Sequence, residues 1–339
     1  MGAGPGGDNV VLRTARASDT AALCELARLG GPGFTNLPAE KGALGRKLEA
    51  SERALEDEGA REAGAAILFV VEQAGELVGT SCVFPRVGAE WPFYSYRLTR
   101  QAAQSVAAGR RKAQTVLNLA NDFDGEAEVG GLLVRPDRRG RALGELAARA
   151  RYLFIAAHRG WFGRRVIAEL RGWQDSGGRS PVWDAIGRHF YGMEFAEADR
   201  FGALSGNQFI ADLGPRHPLY VSLLPRPAQE ALGRPHDDGR SAYEMLLREG
   251  FRAGDYVNIF DGGPTLVADI DAVRTIREAV PVTLERVAEG GSPAVASAGR
   301  GRAFRVAMGH ADPVAGLVSP TLAERLRIAG GEPLLVAPA

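Results

Sequence analysis

At 339 residues, with 45% hydrophobic and 24% charged positions, the chain is long enough for one large domain or two ordinary ones with a real core. Its 41 Lys and Arg balance its 41 Asp and Glu, so no global field draws in nucleic acid or an anionic membrane, and no apolar run approaches the roughly 20 residues of a bilayer span. The two cysteines, Cys24 and Cys82, lack CxxC or CxxH spacing, which argues against a disulfide framework or a zinc site and leads us to expect a reduced, cytoplasmic protein.

In chain order, the glycine-rich start "MGAGPGGDN" (1–9) reads as a disordered tail without an apolar signal core. Residues 10–30 begin as a strand and turn helical, with Ser18 or Asp19 placed to cap the helix. "GPGFTNLP" is a loop, and a second helical pattern runs from about Ala39 to Glu58. Residues 67–84 predict a hairpin, two β-branched runs divided at Gly75. "VLNLAND" and "EVGGLLV" predict strands separated by the turn "DFDGEA". "RRVIAELRG" (164–172) reads as a buried strand, and "SPVWDAIGRHFYGMEF" as a helix capped by Ser180 with Pro181 at its first position. Beyond about residue 196 the pattern weakens to a short helix, "SAYEMLLREGF", and a strand over 256–270 broken at Gly262-Gly263-Pro264. We divide the chain into a core over 10–196, an extension over 197–284 and a small β-rich subdomain over 285–339. The element order makes the fold class mixed α/β.

"RPDRRGRALGELAARARYL" (135–153) concentrates arginine and glycine at the start of an amphipathic helix. Leu143, Leu146, Ala147, Ala150, Leu153, Phe154 and Ala157 share one face. The helix start leaves four N–H groups free and carries about half a positive charge, the makings of an anion site. Arg139 and Arg141 add countercharge, while Ala142 and Gly144 let a phosphate approach the backbone. The alternative is an ordinary surface turn with solvated arginines.

The order around this turn resembles the GNAT acyltransferases, whose phosphate turn reads Arg/Gln-x-x-Gly-x-Gly/Ala. Here Arg139 to Gly144 matches it with Ala142 at the first glycine position. From about Val10 onward the chain is also similar to the arginine N-succinyltransferases. The residues that carry this likeness are "LARLGGPGFTNLPA", "WPFYSYR", "AELRG", "SPVWDAIGRHFYGMEFAEADRF", "HPLY", "LLREGF" and above all "NIFDGGPTL". The resemblance implies a splayed, helix-flanked β-sheet. It also implies transfer of succinyl from succinyl-CoA, a co-substrate rather than a resident cofactor, to the α-amino group of L-arginine in arginine catabolism.

Aminolysis of a thioester needs a neutral amine, stabilisation of the carbonyl oxygen and a proton for the thiolate, and histidine suits the proton step. Of the five histidines, His158 ends a helix and can interact with its dipole. His189 reads as packing, His217 as a turn residue, and His310 falls in the C-terminal region. His236, in "GRPHDD", matches the family's proton-donating histidine, although its proline has moved to the preceding position. Asp237 or Asp238 is expected to raise its pKa and hold it protonated. The alternative is an exposed loop histidine beside two solvated aspartates.

Leu132 matches the family position that contacts succinyl-CoA, where its backbone groups can pair with pantetheine amides; otherwise it is a buried strand residue. A tyrosine acid is weakly supported, because Phe190 takes its register and Tyr191 follows one place later. The substrate guanidinium wants a carboxylate; Asp122, Glu128, Glu169 and Asp261 are candidates not separable from structural ion-pair partners. Arg97, Arg171 and Arg179 are equally open as binders of the succinyl carboxylate. No metal is implied. Rival readings are an ornithine or other amino-acid N-acyltransferase, and a silent acyl-CoA-binding subunit. Assembly as a homo-oligomer or with a paralogous subunit is expected.

Overall fold

Residues 67–84 form the predicted hairpin, and Ala74 and Gly75 at its tip both take positive φ, 52° and 84°. A two-residue link of that kind matches the right-handed twist of the strands it joins. The computed structural model describes residues 9–30, 37–138, 141–205 and 208–339. The described strands in chain order are β1 Val10–Thr14, β2 Ile67–Gln73, β3 Glu76–Phe84, β4 Ser95–Ser105, β5 Arg110–Ala120, β6 Ala127–Val134, β7 Arg165–Glu169 and β8 Leu219–Tyr220. They continue with β9 Arg252–Asn258, β10 Pro264–Asp269, β11 Val280–Thr283, β12 Arg286–Val287, β13 Ser292–Ala298, β14 Arg305–Asp312, β15 Leu317–Val318 and β16 Pro333–Pro338. Residues 1–8 of the expected tail lie outside the described residues.

The chain divides into two units. The first draws on Met1–Arg86, Ala127–Val166 and Asp269–Ala339. Its strands run β11-β16-β13-β14-β1-β2-β3-β6, antiparallel at every pairing. Helices α1 Thr20–Gly30, α2 Lys41–Ala54, α3 Glu58–Glu62 and α4 Arg141–Ala157 belong to it. Asp19 fixes the entry to α1, accepting from the Arg16 backbone N–H at 2.8 Å and from the Arg13 guanidinium at 2.8 and 3.0 Å.

α4 buries more than its predicted stripe. Arg149, Arg151 and Tyr152 are also covered, and Arg149 reaches Thr275 Oγ1 at 3.0 Å and the carbonyl of Pro338. The C-terminal strands have their own apolar cluster, including Ala296, Val318, Leu322 and Leu326. They also join the sheet of this unit, with Leu12 opposite Val306 across β1 and β14.

The β3–β6 pairing slips. Thr80 faces Leu133 but Cys82 faces Gly130, so Gly131 and Leu132 together oppose Ser81. This is a β-bulge, and Gly131 supplies the φ of 58° that it requires.

The second unit comprises Val87–Glu126 and Ile167–Ala268, with strands in the order β7-β10-β9-β4-β5-β8. Its core gathers Tyr96, Leu117, Val182, Trp183, Ile186, Tyr191, Val257 and Ile259. The Ser180 cap is present, its hydroxyl accepting from Trp183 N–H at 3.2 Å. The helix that follows is not uniformly α: Trp183–Gly187 is a wide π turn, succeeded by Arg188–Tyr191. The Trp183 ring lies over Gly187, where a Cβ would come within 2.2 Å of it. The strand expected over 256–270 resolves into β9 and β10, an antiparallel pair turning through Asp261, Gly262 and Gly263.

Candidate active site

Three segments of the second unit converge on His236. The stretch 171–173 runs antiparallel to 234–236: His236 N–H donates to the Arg171 carbonyl at 2.8 Å, and Trp173 N–H to the Arg234 carbonyl at 3.0 Å. Between these bonds Gly172 faces Pro235, so the displaced proline occupies a defined bridge. Arg234 adds a cation–π contact, its guanidinium 4.8 Å from the Trp173 ring centre.

The third segment is the "FDGGP" turn. Asp261 is buried, and its carboxylate accepts from Gly172 N–H at 2.7 Å and Gly263 N–H at 2.9 Å. The two glycines are required by close approach. A Cβ at Gly263 would sit 2.0 Å from the Leu170 carbonyl, and one at Gly172 would sit 2.4 Å from the Asp261 carbonyl. Asp261 therefore staples the floor under His236. Burial raises its pKa, and the two N–H groups and nearby Arg171 work against that.

On the imidazole, Arg171 Nη2 lies 2.7 Å from Nε2, while the Asp238 backbone N–H donates toward Nδ1 at 3.2 Å and Asp238 Oδ2 lies 3.7 Å from it. Here the sequence expectation is corrected. The pKa of His236 is lowered rather than raised, because partial burial and the charge of Arg171 outweigh Asp238, Asp237 and Asp261. The lowered pKa favours the uncharged ring at neutral pH.

The other two carboxylate candidates of this unit, Asp122 and Glu169, have partners. Asp122 Oδ2 accepts from the Tyr256 hydroxyl at 2.7 Å and from Arg97 at 3.4 Å. Glu169 accepts from Asn258 Nδ2 at 2.8 Å and from Thr265 Oγ1 at 3.1 Å. Arg179 pairs with Asp184 at 2.8 Å. Tyr191 is buried against Trp183, with ring centres 5.5 Å apart, and burial pushes its hydroxyl up to about 12. His189 is exposed rather than packed.

In the first unit, Leu132 stands in the bulge of β6, where a strand's regular bonding is interrupted. Arg139 and Gly140 lie outside the described residues, as does the Arg141 side chain. α4 begins at Arg141; Ala142 is exposed, Leu143 is buried, and the space beside Gly144 is open. Before it, Arg135 holds Asp137 through two bonds of 3.1 Å and Glu76 through one of 2.6 Å.

Sequence reasoning missed the polar group behind the bulge. Glu128 is buried and pushed up to about 7 by desolvation, against the opposing charge of Lys47. Lys47 is lowered by burial, and Cys82 is raised to about 11 for the same reason. Arg151 closes the group, donating to the Gly130 carbonyl at 3.4 Å. The available signal was Lys47 on the apolar face of α2, three positions after Leu44 and next to Leu48. His158 is corrected too: it is not a cation at a helix end but a buried ring lowered to about 4, chiefly by desolvation. Among the described residues no group of three or more His, Cys, Asp or Glu could hold a metal, and no helix is long and apolar enough to cross a membrane.

The comparisons with known proteins are consistent with one another. A family model described as the arginine N-succinyltransferase beta subunit matches residues 10–275. The arginine N-succinyltransferase subunit beta of Pseudomonas aeruginosa is 37% identical over 334 residues, 97% of this chain and 98% of that one. An arginine N-succinyltransferase of Escherichia coli O139:H28 is 36% identical over 308 residues, 90% of each chain. The solved structure of arginine/ornithine succinyltransferase subunit AI from Pseudomonas aeruginosa aligns with a TM-score of 0.87 at 32% identity, covering 98% of this chain and 99% of that one.

Proposed function

The chain belongs to the arginine N-succinyltransferase family, and from that premise we propose that it transfers the succinyl group of succinyl-CoA to the α-amino group of L-arginine. The observation that carries the reading is the 37% identity extending over 97% of the chain. His236 is the proposed proton carrier. Held neutral, it takes one proton from the α-ammonium of arginine and leaves a nucleophilic amine. The amine nitrogen forms a bond to the thioester carbon, loses a second proton to solvent, and the C–S bond breaks. His236 then returns its proton to the departing thiolate, so the cycle releases one proton per amide formed. A histidine pinned by its own backbone N–H and by Arg171 supports this role.

For the donor, we propose that the Leu132 backbone in the β6 bulge engages the pantetheine amides and that the start of α4, from Arg139 to Gly144, holds the diphosphate. The exposed Ala142 and the open space at Gly144 support this. Asp122, Glu128, Glu169 and Asp261 remain our candidates for the guanidinium partner. The reaction is proposed to serve arginine breakdown in the cytoplasm.

A thiol-release assay over a panel of acyl-CoAs and amino acids tests the reading. We expect release that requires both succinyl-CoA and L-arginine. Release only with ornithine would replace the acceptor, a second reading favoured by the name arginine/ornithine succinyltransferase carried by the solved relative. Tight succinyl-CoA binding with no thiol release would make the chain a silent subunit. Relatives named as subunits support a heteromeric enzyme, which light scattering after mixing with the paralogous chain would test.

A further inference from the structure

A guanidinium carries donors and no lone pair, so the 2.7 Å contact from Arg171 Nη2 requires Nε2 of His236 to be the unprotonated ring nitrogen. The ring therefore meets a donor at each nitrogen, Arg171 Nη2 at Nε2 and the Asp238 backbone N–H at Nδ1, 3.2 Å away; a neutral ring has one lone pair to offer, and the shorter, charged contact takes it. The basic nitrogen of the histidine is thus covered by a cation. Beside the same Nη2, at 3.4 Å, is Oε1 of Gln174, and the Nε2 of that amide is buried with no acceptor among the described residues. A guanidinium next to an unanswered amide N–H₂ is the donor set that a carboxylate takes.

Resting on the succinyl-transfer reading, we propose that Arg171 is a positioning residue that a substrate carboxylate engages, and that this engagement draws its guanidinium off Nε2 and frees His236 to accept a proton. The charged groups acting on the ring are Arg171, which opposes the imidazolium, and Asp238, Asp237 and Asp261, which favour it, with Arg234 3.6 Å from Asp237. While Arg171 is in place, burial and its charge together disfavour the imidazolium. Once a carboxylate offsets that charge, the three aspartates favour the imidazolium. The proton that arrives comes from the acceptor's ammonium and leaves on the thiolate, so the switch couples substrate arrival to proton capture. Both reactants bring a carboxylate: the α-carboxylate of the acceptor and the free end of the succinyl group.

The test is an NMR titration of the full chain labelled with ¹⁵N-histidine, the His236 resonance being assigned with His236→Gln. In the free protein the midpoint is expected below 6.5. In Arg171→Gln it is expected to rise by about one unit or more, the usual effect of removing a like charge at close range. Arg171→Lys, which keeps the charge, should retain the low midpoint. L-arginine should raise the midpoint of the parent if the α-carboxylate is the effector, with agmatine, which lacks it, inert. Succinyl-CoA should do so, with butyryl-CoA inert, if the succinyl end is the effector. An unchanged midpoint in Arg171→Gln, or equal shifts with the ligands lacking a carboxylate, would overturn the proposal. Because the readout is a titration, it is separable from turnover. A protein that titrates in this way yet releases no thiol would refute succinyl transfer alone.

Discussion

The Asp261 carboxylate and the Gly172 backbone N–H meet at 2.7 Å, and the other carboxylate oxygen takes Gly263 N–H at 2.9 Å. One side chain thereby satisfies two buried donors and ties the β9–β10 turn to the strip that carries Arg171. Asp261→Asn keeps the shape but turns an amide N–H₂ toward one of the two N–H groups, leaving a buried donor unmet at a cost of about 1–3 kcal/mol. We expect a lower unfolding midpoint by scanning calorimetry, together with reduced turnover. Gly263→Ala should be worse, since its Cβ would meet the Leu170 carbonyl at 2.0 Å. An Asn variant as stable as the parent would show that the staple is dispensable.

His236 makes a prediction whose sign follows from its resting charge. Burial and Arg171 lower its pKa from 6.5, and in the proposed cycle the neutral ring is the competent form. The ratio kcat/KM should therefore rise with pH through a midpoint below 6.5 and be flat above it. Had the imidazolium been the resting acid, the slope would be opposite. His236→Ala is expected to lower kcat by about 10²–10⁴-fold, the usual range for a proton-transfer group. Succinyl-CoA affinity measured by calorimetry should change little.

How far the sequence could be read depends on whether a feature is local. The Ile67–Phe84 hairpin was legible because two β-branched runs flank a two-residue turn, and the Ser180 cap because it precedes Pro181 at a helix start. β4 was not legible: its outer half, Arg100–Ser105, is exposed and follows no apolar alternation. The site shows the same division. Asp237 and Asp238 stand beside His236 in the chain and suggested a raised pKa, whereas the residue that helps reverse it, Arg171, is 65 positions away. The shape of the 234–236 loop is likewise set by backbone bonds to 171–173, which leave no mark on the local pattern.

The proposed diphosphate site can be probed without disturbing the helix that forms it. Ala142 is exposed in the first turn of α4. An acidic residue there complements the helix dipole and should leave stability unchanged or slightly higher. The same charge would repel a diphosphate. Ala142→Asp is therefore expected to raise KM for succinyl-CoA about tenfold or more, with kcat at saturation nearly kept and the unfolding midpoint not lowered. Unaltered KM would remove this helix start from donor binding.

His158 gives a pH dependence of stability rather than of rate. Its ring stacks on Phe154 with centres 4.2 Å apart, Nδ1–H donates to the Phe154 carbonyl at 3.0 Å, and Nε2 accepts from Gly301 N–H at 3.2 Å. Burial disfavours the charged ring, Arg300 and Arg61 add to that, and the folded pKa falls from 6.5 to about 4; a protonated Nε2 would also meet the Gly301 N–H donor to donor. The unfolded chain binds this proton first as pH drops. Stability from this group is thus complete above pH 6.5, declines between 6.5 and about 4, and is then fully lost, about 3 kcal/mol in all if the full shift is realised. His158→Phe keeps the stacking and removes the titration. It should be less stable at neutral pH, because Gly301 N–H loses its acceptor. Denaturant unfolding at a series of pH values should also show a flatter profile for this variant between 6.5 and 4 than for the parent. Parallel profiles for the two proteins would assign the acid sensitivity to other groups.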